Sequence, residues 1–307
     1  MADFSVTEAL GVGTGLIRRK PLAVLAWGVL PALVIVPLFL LFGGAFIALV
    51  AQAVKASGDQ TALAQAVLPL IGGVFLFILL VGLAAWVLGA IVYAAAFRAV
   101  LHPEQSAFFY LRFGAAELWL MATSFVLGLV FFGVGVVFAI PQAIVGVALF
   151  NAPTGEKVAV DLLFTLARLA VTIWIWLRLS LGMPMTFASR QFRLFESWAL
   201  TRGHAWALFR FALLAVVVIG LIDVVLVAIG VAGGIGLAGG AFAAAQANPQ
   251  AFFADPRSAI GAFGAAIALW AVLLVIISGV ATAILRAPFA YIYQRLAGDE
   301  AVAQTFT

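Results

Sequence analysis

The sequence predicts an all-α integral membrane protein with six transmembrane helices. Of its 307 residues, 66% are hydrophobic and only 9% are charged, whereas a soluble domain carries roughly 25% charged residues because its exterior needs polar cover. Six apolar segments each exceed the roughly 20 residues that cross a bilayer. These segments are Leu22–Ala53, Val67–Phe97, Leu118–Ile140, Val158–Leu181, Leu208–Ala238 and Ile260–Tyr291.

The basic residues of the connections predict the orientation of the spans. Three of them, Lys55, Lys157 and Arg257, fall on one side of the membrane. Eleven fall on the other side: Arg18, Arg19, Lys20, Arg98, Arg112, Arg190, Arg193, Arg202, Arg210, Arg286 and Arg295. Lysine and arginine accumulate in cytoplasmic connections, so both termini are predicted to lie in the cytoplasm. The apolar stretch after Lys20 is too long for the core of a signal peptide, which is about 7–15 residues.

Prolines and turn residues predict where helices bend or end. Pro31 and Pro37 fall within the first span, and Pro141 directly follows the third, so these helices are expected to bend or end there. The segment Asn151–Lys157 (NAPTGEK) is a short turn, which predicts that the third and fourth spans form a hairpin. The other two outer connections, Lys55–Thr61 and Gln246–Ser258, are polar or rich in turn residues.

An internal repeat is predicted from three octets that precede the odd-numbered spans and end in glycine. The octets are Glu8–Gly15, Ala107–Gly114 and Glu196–Gly203. Arg98, Arg178 and Arg286 then lie near the inner ends of the even-numbered spans. We predict one membrane domain, 1–307, built from three pseudo-repeats at about 4–103, 104–190 and 191–297. Each would contain an interfacial amphipathic helix and a transmembrane hairpin. The alternative is chance similarity among basic inner connections.

The segment Arg190–Phe211 has the pattern of an interfacial helix. Apolar residues recur at spacings of three and four, with basic residues such as Arg193 and Arg202 opposite them. A helix of this kind lies in the headgroup plane, where guanidinium groups donate paired hydrogen bonds to lipid phosphates.

A family resemblance is carried by the segment Arg178–Phe209. Its pattern is Arg-x-Ser-Leu, a proline, an apolar linker, and then Ser-Trp-x-Leu-Thr-Arg-Gly before an aromatic residue. This resembles the bacterial membrane domains named after the membrane regions of glycerophosphoryl diester phosphodiesterases. The resemblance covers about a tenth of the chain and implies a bacterial inner-membrane protein. It does not imply phosphodiesterase activity, because catalysis in such proteins belongs to a separate soluble domain and no polar stretch here is long enough for one.

Charged residues at membrane depth are candidate functional residues, because each is costly in lipid unless it is paired. Arg168 lies ten residues into the fourth predicted span and Asp223 fifteen residues into the fifth, so both fall near the midplane and are expected to pair. At the inner boundary, Arg98, Arg178 and Arg286 either extend their guanidinium groups toward the interface or gather around anionic lipid headgroups. Glu104 and Glu117 are expected to pair with Arg112 or with these arginines.

The glycine-rich segment Gly230–Gly240 predicts close helix packing within the bundle. It contains two GxxxG spacings, whose small faces let helix backbones approach one another. The chain has no cysteine and two histidines in different segments, and no catalytic arrangement of side chains recurs at one depth. We therefore predict no enzyme activity, no metal site and no cofactor.

These observations favour a non-enzymatic inner-membrane protein that binds or organises anionic phospholipid at the cytoplasmic leaflet. The candidate lipid-binding residues are Arg98, Arg178, Arg286, Arg202 and Arg193. The first alternative is a small-molecule or proton-coupled transporter with a midplane Arg168/Asp223 site. The second is a scaffold or subunit for an unidentified protein partner. The predicted partners are phospholipids, with no nucleic acid, and either a second copy of the chain or another membrane protein.

Overall fold

A computed structural model of the chain describes residues 4–55, 60–248, 252 and 261–305. Within these ranges the fold is helical and contains no strand. Among the described residues, six helical segments are long and apolar enough to cross a membrane, which confirms the predicted all-α, six-span fold. They are Pro21–Gly43, Ile71–Leu101, Ala107–Ala148, Thr154–Ser189, Ala205–Ala247 and Gly264–Gly298. The outer connections at Lys55–Thr61 and Gln246–Ser258 fall mostly outside the described residues.

The helices are numbered here in chain order, and a single turn at Ala107–Tyr110 precedes the fourth of them. Their bounds are α1 Val6–Arg19, α2 Pro21–Lys55, α3 Gln60–Leu101, α4 Ala115–Ala148, α5 Thr154–Leu179, α6 Gly182–Ser189, α7 Ser197–Leu200, α8 Ala205–Ala247, α9 Gly264–Leu285 and α10 Ala287–Thr305.

Prolines interrupt the spans less than predicted. Pro141 lies inside α4, which continues to Ala148, so the expectation that this proline sits past the third helix was wrong. Pro31 and Pro37 also lie within a continuous α2. Proline is tolerated in transmembrane helices because neighbouring groups satisfy the freed backbone carbonyls. As predicted, α4 and α5 form a hairpin: residues 149–153 join them and the two helices pack together.

The three predicted interfacial segments adopt different structures. The first octet, Glu8–Gly15, lies within the fourteen-residue helix α1. The second forms the turn at Ala107–Tyr110, and the third contains only the four-residue helix α7. Arg190–Phe211 is thus not one continuous helix: Arg190 and Gly203 adopt positive φ values of 52° and 86°, and only Ser197–Leu200 is helical between them. The predicted sequence repeat and its boundaries stay predictions.

Contacts divide the chain into two compact units, and each is discontinuous in sequence. The first unit contains Met1–Gly13, Tyr93–Leu214 and Leu285–Thr307. The second unit contains Thr14–Val92 and Ala215–Ile284. Eleven of the sixteen lysine and arginine residues belong to the first unit, so that unit carries most of the basic charge of the chain.

Close packing joins α2 to α9 in the second unit. A Cβ atom added at Gly28 would lie 1.9 Å from the carbonyl oxygen of Val275, and one added at Gly279 would lie 2.2 Å from that of Val24. Only glycine permits the two backbones to approach so closely. Trp27 is fully buried beside this contact.

The glycine-rich segment of α8 packs in part as predicted. A Cβ atom added at Gly230 would lie 2.9 Å from the Trp270 side chain of α9, and one added at Gly234 would lie 3.3 Å from it. This confirms close helix packing at the first GxxxG pair. Gly236 and Gly240, by contrast, have open space around them.

Candidate functional site

A buried ion pair joins the end of α3 to the beginning of α4 in the first unit. Arg98, which is 6% exposed, donates hydrogen bonds to the carboxylate of Glu117 and to the carbonyl oxygen of Tyr110. Glu117 is 2% exposed and is the third residue of α4. This confirms that Glu117 pairs with an inner-boundary arginine. Glu104 was expected to pair with an arginine, but its carboxylate instead lies 3.7 Å from the Nδ1 atom of His102.

A left-handed turn stands next to this ion pair. Phe108, Phe109 and Tyr110 have φ values of 52°, 58° and 67°, a conformation that costs L-residues roughly 1–2 kcal/mol each. The turn is held by the Arg98 hydrogen bond and by the Tyr110 hydroxyl, which donates to the carbonyl oxygen of Pro103 at 3.1 Å. Tyr110 is therefore buried, while Phe108 is 84% exposed. Strained backbone of this kind concentrates at functional sites.

A polar cavity of about 440 Å³ opens beside the turn, among the ends of α3 and α6 and the beginning of α4. This volume is typical of small-molecule sites, which range over about 300–1,000 Å³. The lining includes Arg98, His102, Gln105, Arg112, Phe113, Glu117, Phe187 and Arg190. Since Glu117 neutralises Arg98, the net positive charge of the cavity comes from the other two arginines.

Arg112 and Arg190 supply that charge at the surface of the cavity. Both side chains are exposed, and within the described ranges neither forms an ion pair with a carboxylate. Arg190 follows the last residue of α6 in a left-handed conformation, with φ at 52°. The two guanidinium groups can therefore donate hydrogen bonds to an anion without first breaking a salt bridge.

Arg178 has protein partners at the end of α5. Its guanidinium donates to the carbonyl oxygen of Thr201 at 3.1 Å and lies 5.8 Å from the ring centroid of Trp198. The carbonyl oxygen of Arg178 also accepts a hydrogen bond from the Ser197 hydroxyl at 2.8 Å. These contacts attach the α7 segment to the end of α5.

Arg286 lies between α9 and α10 and contacts Tyr93. Its guanidinium donates to the Tyr93 hydroxyl at 3.1 Å and lies 4.4 Å from the ring centroid. Arg98, Arg178 and Arg286 thus contact three different sets of side chains. Their gathering around one lipid headgroup and their lipid-binding role stay predictions.

Arg193 and Arg202 lie near the α7 segment. Arg193 forms an exposed ion pair with Glu196 at 3.3 Å. Arg202 is also exposed, and Trp206, which follows it, is 66% exposed. Neither arginine lines the 440 Å³ cavity.

The two charges that were predicted to lie within the membrane belong to different units. Arg168 is exposed near the middle of α5 in the first unit, whereas Asp223 is half-buried in α8 in the second. Their pairing stays a prediction.

The sequence identified Arg112 as an orientation signal and as an expected partner of Glu104 or Glu117, and Arg190 as an orientation signal at the start of an interfacial segment, but it did not place the two in one site. They are 78 residues apart, and no sequence pattern links them. An indirect signal was present for Arg112, because the aromatic run that precedes it is unusual in a connection. In the part of the chain that the structure describes, no three His, Asp or Glu side chains cluster as metal ligands do.

Comparison with known proteins provides no relative for this arrangement: no protein-family model matches the chain, and no curated protein or solved structure matches it significantly.

Proposed function

We propose that this polytopic membrane protein is a non-enzymatic protein of the bacterial inner membrane that binds anionic phospholipid headgroups at the cytoplasmic leaflet. The observation that carries the proposal is the 440 Å³ cavity, which has two arginines without carboxylate partners among the described residues. The distribution of basic residues supports placing this cavity and both termini on the cytoplasmic side.

The chemistry of the cavity suits a phosphate diester. Guanidinium groups bind phosphate through paired, charge-assisted hydrogen bonds, which are roughly twice as strong as neutral ones. Basic residues near an anionic leaflet contribute about 1 kcal/mol each to membrane attraction. Arg112 and Arg190 are exposed and can make such bonds, whereas Arg98 is already occupied by Glu117.

Exposed aromatic side chains beside the cavity favour a lipid over a free anion. Phe108 and Phe113 flank Arg112, and both present most of their side chains to the surroundings. Aromatic residues are enriched where headgroups meet acyl chains. A lipid would place its phosphate on the arginines and its apolar portion against these rings, whereas free phosphate would leave the rings without a partner.

The family resemblance belongs to this proposal as well. The segment Arg178–Phe209 supports assignment to the inner-membrane domains named after glycerophosphoryl diester phosphodiesterases, without the catalytic domain. In such proteins the phosphodiester is hydrolysed elsewhere, which fits a role for this chain in binding lipid.

Native mass spectrometry with lipid analysis tests the proposal. Purified wild type is compared with an Arg112→Gln/Arg190→Gln variant, and an Arg193→Gln/Arg202→Gln variant serves as a control with the same change in charge outside the cavity. We expect wild type and the control to retain phosphatidylglycerol or cardiolipin, and the cavity variant to lose it while its thermal unfolding midpoint is unchanged. Equal retention in all three proteins, or loss only in the control, would contradict the proposal.

A further inference from the structure

The helix α5 differs from the other transmembrane helices in its polarity. Its span has the lowest mean hydropathy of the six. Polar residues recur along it at spacings of three and four, which places them on one face of the helix. This polar face consists of Lys157, Asp161, Thr165, Arg168 and Thr172.

The polar face extends to the middle of α5. Arg168 lies fourteen residues after Thr154 and eleven before Leu179, so it is close to the centre of α5. Asp161 is two helical turns nearer the outer end, where its carboxylate accepts a hydrogen bond from Gln142 of α4 at 3.0 Å. Thr165 lies between the two charges.

Within the first unit, the described helices leave this face uncovered along most of its length. Asp161, Thr165 and Arg168 are all exposed, and none of the most apolar window of this span is buried. The main neighbours of α5 are α4 along the hairpin and α7 at the inner end. Within the described residues, Arg168 forms no ion pair or hydrogen bond.

Acyl chains cannot satisfy these groups. An arginine at the centre of a transmembrane helix costs roughly 2.5–3.5 kcal/mol on the insertion scale, and such residues normally face protein or water. Near the midplane the guanidinium is too far from either interface to reach the headgroups easily. The polar face of α5 therefore needs a polar partner.

We propose that the polar face of α5 binds a transmembrane helix of another membrane protein, and that this helix carries an acidic side chain at the depth of Arg168. Charge complementarity defines the partner: a carboxylate opposite Arg168, with small or hydroxyl-bearing residues opposite Thr165. Hydrogen bonds between helices hold membrane bundles together where apolar burial contributes nothing. This surface is separate from the cavity of the proposed function.

A second copy of the chain fits this face poorly. Membrane homo-oligomers usually have a rotation axis along the membrane normal, so equivalent residues meet at the same depth. A two-fold contact through α5 would place Arg168 opposite Arg168 and Asp161 opposite Asp161. Like charges in a low-dielectric environment repel strongly, which disfavours a two-fold contact between α5 helices and favours a partner helix that carries the acidic charge.

A model peptide provides the test. The full chain is reconstituted in liposomes with a synthetic Leu/Ala transmembrane peptide that carries one Asp at its centre, or Leu in its place. The chain has no cysteine, so Thr154→Cys gives one labelling position at the outer end of α5 for energy transfer. We expect the Asp peptide to bind about tenfold or more tightly than the Leu peptide, a difference of about 1.4 kcal/mol.

Three variants define the contact. Arg168→Leu should remove the preference for the Asp peptide, and Arg168→Asp should transfer it to a peptide with a central Arg. Leu163→Ala, on the opposite face of α5, should change nothing. The comparison of the two peptides on wild type remains decisive if a variant fails to fold.

Two results would overturn the proposal. One is equal binding of the Asp and Leu peptides to wild type. The other is tighter binding of the Asp peptide than of the Leu peptide that appears only in an Asp223→Asn variant. This would mean that Asp223 of the same chain already pairs with Arg168 in wild type. Either result leaves the lipid cavity untouched, because neither residue lines it.

Discussion

The two compact units of the chain differ in the interactions that stabilise each of them internally. In the first unit, hydrogen bonds and one buried ion pair connect helix ends: Arg98 with Glu117, and Ser197 with Arg178. In the second unit, glycines let helix backbones touch, as at Gly28 and Gly279. The difference follows from the backbone. Several helices end and turn in the first unit and leave polar groups to be satisfied, whereas α2 and α9 meet along their helical interiors, where the backbone groups are already paired within each helix.

This comparison indicates where each unit is sensitive to substitution. The first unit should tolerate changes of apolar volume better than the loss of one polar partner, because an unpaired buried charge is costly. The second unit should respond to added volume at a few glycines and hardly at all to changes of charge. The four predictions below test this contrast.

The largest effect is expected from Glu117→Leu, which leaves the buried Arg98 guanidinium without a counter-charge. Loss of one partner of a buried pair costs roughly 3–5 kcal/mol, so thermal unfolding in detergent should occur at a markedly lower temperature. The Arg98→Met/Glu117→Leu double variant, which removes both charges, should recover most of that loss. Equal destabilisation in the single and double variants would show that the ion pair is not what joins α3 to α4.

A smaller effect is expected from Gly28→Ala in the second unit. The new methyl group would meet the backbone carbonyl of Val275, which no rotamer change can move. Overpacking of this kind costs roughly 1–3 kcal/mol. The matched control is Gly82→Ala in the same unit, where the site has open space and stability should be unchanged or slightly raised. Similar unfolding temperatures for the two variants would contradict close packing of α2 against α9.

Ser197→Ala should cost about 1 kcal/mol, the net value of a typical hydrogen bond. The Ser197 hydroxyl donates to the carbonyl oxygen of Arg178 and accepts from the backbone N–H of Leu181 at 3.2 Å. Ser197 is fully buried. Ser189→Ala, at a more exposed hydroxyl in the same unit, is the control. Hydrogen exchange at Leu181 should accelerate in Ser197→Ala alone, and unchanged exchange would rule out this attachment.

The smallest effect concerns pH. Hydrogen bonding to Tyr291, together with the Arg295 guanidinium 3.0 Å away, lowers the pKa of Glu8 below its ordinary value of 4.5. A carboxylate with a lowered folded-state pKa stabilises the fold at neutral pH, and the contribution disappears as pH falls through that pKa. The pair is exposed, so the change is small. The unfolding temperature of Glu8→Gln should therefore fall less than that of wild type between about pH 6 and pH 3. An identical fall in both proteins would exclude a stabilising contribution of the Glu8 carboxylate.

The sequence was sufficient to predict features that depend on composition and local spacing. The six spans, the α4–α5 hairpin, the packing of the first GxxxG pair and the inner-boundary pairing of Glu117 are all confirmed. Each depends on hydropathy, on a turn signature, on small residues at a fixed spacing, or on charges at one depth.

Features that depend on tertiary contacts could not be predicted. The left-handed turn at Phe108–Tyr110 has no glycine, and nothing local favours positive φ; it is held by Arg98 from another helix. Similarly, Arg190–Phe211 has helical periodicity, yet the close approach of Leu194 to Gly182 and the turn at Gly203 override it. The cavity combines Arg112 with Arg190 for the same reason, since only the fold brings them together.

Photo-crosslinking with a headgroup-reactive phosphatidylglycerol analogue tests the proposed lipid site most directly. The protein is reconstituted with the analogue at a low mole fraction, irradiated and digested, and the labelled residues are located by mass spectrometry. The cavity predicts that label concentrates on 105–117 and 187–190 and falls several-fold in Arg112→Gln/Arg190→Gln. Label spread evenly over the basic residues of the inner side, unchanged in that variant, would contradict a defined headgroup site and leave only general attraction to the anionic leaflet.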